Sequence, residues 1–380
     1  MKKIISFIFI ISGLLLLSGC GQPPLKIGAI YNLTGTQSAL DQPSAQGAQL
    51  AVKQINEAGG VLGRKLKLIL YDGQTDPATI KKLTKKLIEK DKVTAIIGLS
   101  DTDLVLAAAP IAAAAQKLFI TSGATSPELV RQVPEYLFLA CFDDQAQAKA
   151  AANYAYQKLR LKSAYVLFDT KMAYTKILAQ SFKDDYQDLG GKIIAENIFV
   201  TGQQDFSAFI KAFKKLKRKT PDMLYIAAGP EDIGQIIKQF RENNIYEPIF
   251  GGDSYDNPLI VQTAGENAHD IYFTTHTFFD EEQLSKLSQQ FFKAYFQEYQ
   301  TFPLNFFAAL GYDTVRLLAQ AITKAGKTDT PSILKALKNT EDFYGITGKI
   351  TYSQSSRIPQ KDITLVVIKK GHFSVKAIIN

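Results

Sequence analysis

The chain has 380 residues, a formal net charge of +8 and two cysteines, and 46% of its residues are hydrophobic. Its length exceeds that of one ordinary domain and suits two, and two cysteines exclude a disulfide framework and a cysteine-based metal site. The positive charge is spread over lysine-rich segments with apolar residues at helical spacing. Such segments are typical of solvated helix faces and argue against a nucleic-acid partner.

The N-terminal segment has the pattern of an export signal. Lys2 and Lys3 precede a largely apolar run over 4–17, and Ser18 and Gly19 then lead to Cys20. The apolar run is shorter than the about 20 residues that a membrane-spanning helix needs. It fits a signal peptide that is removed after export, and we predict this peptide over 1–19 and a short tether over 20–24.

The string LLSGC at 16–20 resembles the bacterial lipobox, in which the cysteine receives a diacylglyceryl group. The resemblance implies an extracytoplasmic lipoprotein, anchored to a membrane through Cys20 and facing the periplasm or the outer cell surface. A lipidated Cys20 cannot form a disulfide with Cys141, which we then interpret as a small buried hydrophobic residue.

From Leu25 onward, short β-branched segments alternate with segments of helical periodicity. This alternation predicts parallel sheets in an α/β fold. The predicted elements of the first half are strand 26–31, helix 43–58, strand 66–71, a helix that starts at Asp76-Pro77, strand 93–99, an alanine-rich helix that starts near Asp103, and strands 118–121 and 136–142.

The pattern then repeats along the second half of the chain. The predicted elements are strand 164–168, helix 174–189, strand 193–199, helix 206–216, strand 223–227, helix 232–243, strands 248–251 and 271–275, helices 282–299, 306–325 and 331–338, and a strand-rich end over 350–379. A two-residue turn at Lys370-Gly371 predicts a hairpin in this last stretch.

The two similar halves predict two doubly wound parallel-sheet lobes. The three late helices cannot form an independent domain, and we expect them to complete the first lobe. Lobe 1 is therefore predicted over 25–143 plus 277–358, and lobe 2 over 144–276 plus 359–380. The connection would be a hinge that the chain crosses several times, near Asp143, His276 and Pro359.

Short motifs in a fixed order carry a second resemblance. They include NLTG at 32–35, TSGATSPEL at 121–129, FGGD at 250–253 and ALGYD at 309–313. With these motifs the chain resembles, along nearly its whole length, the leucine/isoleucine/valine-type substrate-binding proteins of ABC transporters. The resemblance implies a type I periplasmic binding protein fold, a monomer without a cofactor, and capture of an amino acid that is delivered to an ABC permease.

The fold and the resemblance place the ligand at the same strand ends. In open α/β sheets, ligands bind beyond the carboxyl ends of strands, and 100–103 and 121–125 follow two such ends. By the resemblance, Thr102 holds the ligand carboxylate, which a helix N-terminus would also attract; the alternative is that Thr102 only caps this helix. The resemblance also places Gly123, Ala124 and Thr125 at the ligand, with the Gly123 carbonyl and the Thr125 hydroxyl facing its ammonium group.

Three further residues are implied from other parts of the chain. Asp253 matches an acid that neutralises the ligand ammonium, and Tyr174 matches a tyrosine that covers the ligand from the second lobe. Phe307 is a candidate for the side-chain pocket, and core packing is the alternative. Asp253 thus argues for an amine-bearing ligand, because a buried carboxylate needs a partner.

Two acids depart from the family pattern. Asp101 and Asp103 flank Thr102, where branched-chain binders have apolar or small residues. Either acid would favour the helix dipole as a cap, and Asp101 has the alternative of contacting a polar or cationic ligand side chain. The identity of the ligand therefore stays open.

No pattern in the sequence favours catalysis. The three histidines, His269, His276 and His372, lack metal-ligand spacing, and no nucleophile elbow or phosphate-binding glycine loop occurs. We therefore predict a binding protein rather than an enzyme. The alternative role is a receptor that senses amides or amino acids through a partner protein.

Overall fold

The computed structural model describes residues 22–216, 219–278, 285–353 and 356–379, so the predicted signal peptide and Cys20 lie outside the described residues. Its strands form two large sheets and one hairpin. The first sheet contains β1 (Leu25–Tyr31), β2 (Leu66–Asp72), β3 (Ala95–Gly98), β4 (Leu118–Thr121) and β5 (Leu137–Leu139). The second contains β6 (Ser163–Asp169), β7 (Lys192–Phe199), β8 (Met223–Ala227), β9 (Ile249–Gly251), β10 (Ile271–Thr275), β13 (Ile363–Lys369) and β14 (His372–Ile379), and the hairpin pairs β11 (Phe343–Gly345) with β12 (Gly348–Ile350).

The helices lie between these strands in chain order. They are α1 (Ser38–Glu57), α2 (Pro77–Lys86), α3 (Thr102–Ala114), α4 (Glu128–Gln132), α5 (Asp144–Asn153), α6 (Ala173–Asp188), α7 (Ser207–Lys214), α8 (Ile233–Glu242), α9 (Leu259–Ala264), α10 (Lys286–Tyr299), α11 (Phe307–Ala325) and α12 (Thr330–Lys338). No helix in the described part of the chain is long and apolar enough to cross a membrane.

Both large sheets are doubly wound. The first is parallel throughout in the order β2-β1-β3-β4-β5. The second has the order β7-β6-β8-β9-β10-β13-β14, in which β13 is antiparallel to both of its neighbours, β10 and β14. Helices cover both faces of each sheet, which explains why the central strands are buried and apolar along their length. The predicted fold class is confirmed.

The helices divide between the sheets by their apolar faces. On the first sheet, α1, α10, α11 and α12 cover one face and α2, α3 and α4 the other. On the second sheet, α7, α8 and α9 cover one face and α5 and α6 the other. We use lobe 1 for β1–β5 with α1–α4 and α10–α12, and lobe 2 for β6–β10, β13 and β14 with α5–α9.

A close helix crossing holds the late helices on lobe 1. A Cβ atom at Gly47 of α1 would lie 1.8 Å from the carbonyl oxygen of Ala308, and one at Gly311 of α11 would lie 1.8 Å from that of Ser44. The two backbones therefore touch, and glycine is required at both positions.

The chain passes between the lobes several times. It leaves the first sheet after Leu139 and forms the parallel strands of the second sheet up to Thr275. It then returns to lobe 1 for the late helices and re-enters lobe 2 at Ile363.

The first helix begins earlier than its sequence predicts. The predicted start was Pro43, but α1 begins at Ser38 and contains Pro43 in its second turn. A proline inside a helix removes one N–H and leaves the carbonyl four residues earlier without its partner. The Asn305 side chain donates to that carbonyl, on Ala39, at 2.7 Å. Asn305 is far from α1 along the chain, so the sequence around Pro43 does not indicate that the helix starts before it.

Several smaller predictions can be compared directly with the structure. Asp76 caps α2 by accepting from the Thr79 N–H, with Pro77 at the first turn, as predicted. Lys369 pairs with His372, so Lys370-Gly371 is the predicted two-residue turn. The strand predicted over 136–142 is only Leu137–Leu139. Cys141 is buried, and its thiol donates to the Ala124 carbonyl at 3.3 Å.

Candidate functional site

A cavity lies between the two lobes at the carboxyl ends of their parallel strands. Its empty volume, which includes space open to solvent, is about 290 Å³. Lobe 1 and its loops line it with Gln37, Leu40, Ser100, Asp101, Gly123, Thr125 and Phe307, and lobe 2 with Met172, Tyr174, Pro230, Asp253 and Ser254.

The structure brings six of the nine predicted ligand-binding residues to this cavity. These are Asp101, Gly123, Thr125, Tyr174, Asp253 and Phe307. Thr102 and Ala124 are buried next to the lining residues without belonging to them, and Asp103 is exposed. The motifs gave no indication that Met172, Pro230 and Ser254 would line the cavity from lobe 2.

Asp253 is the acid that lobe 2 presents to the cavity. It opens the turn Asp253–Tyr255 after β9, and the glycine before it leaves room for Tyr174, since a Cβ atom at Gly252 would lie 2.4 Å from the Tyr174 hydroxyl. The Tyr174 hydroxyl donates to Asp253 Oδ1 at 2.9 Å. Burial, together with Asp253, raises the pKa of Tyr174 well above its ordinary value, so Tyr174 stays a donor.

Two further side chains, those of Gln147 and His276, contact the Asp253 carboxylate. Gln147 Nε2 donates to Asp253 Oδ1 at 3.0 Å, and Gln147 Oε1 accepts from the Asp253 N–H at 3.1 Å. His276 Nε2 lies 3.1 Å from Asp253 Oδ2, and its ring stacks on Phe142 at 3.8 Å. Burial lowers the pKa of His276, although Asp253 opposes that shift. Sequence reasoning missed Gln147, which occurs in no recognised motif, and considered His276 only as a metal ligand and a hinge position.

Thr125 lines the cavity from lobe 1, and its hydroxyl proton is already used in a hydrogen bond. Its hydroxyl donates to Asp144 Oδ1 at 2.6 Å, and Asp144 also accepts from Gln147 Nε2 at 3.0 Å. A hydroxyl has one donor and two acceptor positions. Because the donor is used by Asp144, the Thr125 oxygen presents acceptor positions, which suit an ammonium group of a ligand.

The N-terminus of α3 decides between the alternative caps. Asp101 is the N-cap, accepting from the Leu104 N–H at 3.0 Å, so the alternative of Asp101 as the cap is confirmed and those of Thr102 and Asp103 are wrong. Thr102 is the first helical residue, and its Oγ1 is buried without a hydrogen-bond partner among the described residues. Burial raises the pKa of Asp101 to about 7.

Asp103 connects the two lobes. Its Oδ2 accepts from the N–H of Ala173 at 3.0 Å. Ala173 is the first residue of α6, and the residue before it, Met172, gives no side-chain cap. Asp103 therefore caps a helix of lobe 2 rather than its own, which a search for local caps could not find.

The sequence model of the periplasmic binding protein family matches residues 24–372. The chain belongs to this family. It is 28% identical over 342 residues to a Leu/Ile/Val-binding protein homolog of Brucella melitensis, covering 89% of this chain and 90% of that one. It is 26% identical to the leucine-, isoleucine-, valine-, threonine-, and alanine-binding protein of Pseudomonas aeruginosa, covering 90% of this chain and 89% of the relative.

Solved structures of family members agree with the fold of this periplasmic binding protein. A leucine binding protein from Thermotoga maritima is 30% identical with a TM-score of 0.86, covering 94% of this chain and 99% of that one. A branched-chain amino acid binding protein from Streptococcus pneumoniae, in complex with isoleucine, is 32% identical with a TM-score of 0.85 and the same coverages. A binding protein from Rhodopseudomonas palustris, in complex with 3,4-dihydroxybenzoic acid, is 25% identical with a TM-score of 0.82, covering 94% and 97%.

These findings confirm the predicted family. Its members are extracytoplasmic substrate-binding proteins, not enzymes, and the relatives include branched-chain amino acid binding proteins of ABC transporters. The ligands bound in its structures include both amino acids and aromatic acids.

Proposed function

We propose that this protein captures an amino acid between its two lobes and delivers it to an ABC transporter. One observation carries the proposal: the charged side chains among the cavity-lining residues are the carboxylates Asp101 and Asp253, one from each lobe. A buried carboxylate needs a cationic partner. An α-ammonium group at Asp253, with Thr125 as a second acceptor, supplies one.

The carboxylate of the ligand would lie at the start of α3. The N-terminus of a helix attracts anions through its free N–H groups and its dipole, and Thr102 Oγ1 has no partner there among the described residues. An aromatic acid without an amino group fits less well, because it would add a negative charge to a cavity lined by two carboxylates.

We further propose that the protein works as an anchored receptor. Removal of 1–19 would leave Cys20 as the lipidated N-terminus, and two or more acyl chains hold a protein stably at a membrane. A monomer whose lobes, 25–143 plus 277–358 and 144–276 plus 359–380, close over the ligand would then present it to the permease. The relatives that carry this transport role support the proposal.

A thermal-shift screen of amino acids, amino-acid amides, polyamines and aromatic acids tests the proposed ligand class. A ligand at 100 times its Kd should raise the free energy of unfolding by about 2.7 kcal/mol. We expect a shift with at least one amino acid and none with the aromatic acids. Stabilisation by aromatic acids alone would contradict the proposal, and calorimetry on the hits would give the affinity.

Replacing Asp103 by alanine should weaken binding of every ligand by about fivefold. The contact between Asp103 and the Ala173 N–H exists only while the lobes are together, and a helix cap of this kind contributes about 1 kcal/mol. The loss should appear as faster dissociation in stopped-flow measurements, because the closed state is the one destabilised. Asp188→Ala, at the other end of α6, is the control; an unchanged dissociation rate in Asp103→Ala would contradict the role.

A further inference from the structure

We propose that the amino acid has a hydrogen-bond donor at the end of its side chain, and that Asp101 selects for this donor. The inference rests on the proposed function, because it takes the α-ammonium group to be bound at Asp253. It assigns to Asp101 a selectivity for a side-chain donor, which threonine alone has among the amino acids in the names of these two relatives.

The position of Asp101 is unusual for an acid. Its side chain lines the cavity, and the residue is only 6% exposed. Capping of α3 uses one carboxylate oxygen, Oδ1, on the Leu104 N–H. A serine or an asparagine would cap the helix as well. Capping therefore explains a polar residue here, but it does not explain a buried acid.

The charges around the cavity leave Asp101 without a cation. Its acidic neighbours are Asp41 and Asp103, which both oppose its ionisation. The lining residues include no lysine or arginine. A zwitterionic ligand neutralises Asp253 through its ammonium group, but it brings a carboxylate of its own. An apolar side chain would then leave the second carboxylate oxygen of Asp101, Oδ2, without a donor in the cavity, which is unfavourable.

The other walls of the cavity indicate the shape of the side chain. Leu40 and Phe307 are buried and offer apolar surface, while Gln37 and Asp101 add polar groups to the same cavity. An aliphatic stem with a donor at its tip matches both kinds of surface. A site built to hydrogen-bond a donor rejects the analogue that lacks it far more strongly than an apolar pocket rejects an added hydroxyl.

Calorimetry with pairs of ligands of equal shape tests the inference on the full-length protein. The pairs are threonine and valine, asparagine and leucine, and ornithine and norleucine, in which the first member has a donor where the second has a methyl group. We expect the donor member of at least one pair to bind about tenfold or more tightly. Asp101→Ser and Asp101→Asn, which both keep a helix cap, should reduce that preference to about twofold or less.

Asp103→Asn is the matched control, since Asp103 is an acid two residues away that does not line the cavity. Because asparagine also caps a helix, this variant should have the same small effect on both members of a pair and leave their ratio unchanged. Preference for valine, leucine or norleucine, unchanged in Asp101→Ser, would overturn the inference while leaving the proposed function intact. Failure of every amino acid to bind would overturn both.

Discussion

Replacing Asp253 by alanine should lower the affinity for amino acids by about two to four orders of magnitude. Removing one partner of a buried ion pair costs about 3–5 kcal/mol, and the ligand ammonium would lose its carboxylate partner. The same change releases the Tyr174 hydroxyl and Gln147 Nε2, which both donate to Asp253. Calorimetry with the best ligand of the screen measures the loss.

Two isosteric variants show whether the loss of affinity comes from the charge of Asp253 or from a change in the surrounding structure. Asp253→Asn keeps the shape of the side chain and removes its charge, so it should lose most of the affinity at a nearly unchanged Tm. Asp256→Asn is the control, because Asp256 is a buried acid three residues away that accepts from Thr275 Oγ1 at 2.8 Å and does not line the cavity. Affinity in Asp253→Asn equal to that of the unmodified protein would show that Asp253 does not bind the ammonium group.

The fold was predictable because its signals are local. Parallel strands covered on both faces appear as short, continuous apolar segments, and helices between them have an apolar stripe. Helix ends were predictable where the cap is local, as at Asp76. The start of α1 was missed because a proline inside the helix is tolerated through Asn305, more than 260 positions along the chain.

The site was predictable only in part, for the same physical reason. Asp253 and Thr125 follow strand ends, where a parallel sheet places its ligand, and their motifs indicate the residues. Asp103 has its partner on the other lobe, at the Ala173 N–H, so its role depends on how the lobes meet. Gln147 supports Asp253 from the first turn of α5, and nothing in its neighbours along the chain indicates this contact.

The two ends of the proposed ligand face different kinds of protein group. Asp253 is held by the three side chains of Gln147, Tyr174 and His276, so it is oriented before any ligand arrives. Thr102 Oγ1, by contrast, is buried with no partner among the described residues. An unpaired buried hydroxyl costs about 1–3 kcal/mol in the free protein, and a ligand carboxylate would recover that cost on binding.

This difference makes Thr102→Val an informative change. Valine keeps the shape of threonine and removes the unpaired hydroxyl, so the free protein should have an equal or slightly higher Tm. Binding should weaken by about 10- to 100-fold, because a hydrogen bond to a charged group contributes about 1.5–3 kcal/mol. A thermal melt without ligand and calorimetry with ligand measure the two effects separately.

A second pair of measurements tests whether the loss of affinity in Thr102→Val comes from the contact with the ligand carboxylate. Thr102→Ser retains the hydroxyl and should bind nearly as well as the unmodified protein. The amide of the same amino acid, which lacks the negative charge, should bind weakly to both the unmodified protein and Thr102→Val, with little difference between them. If Thr102→Val binds the free amino acid as tightly as the unmodified protein, the Thr102 hydroxyl does not bind the ligand carboxylate.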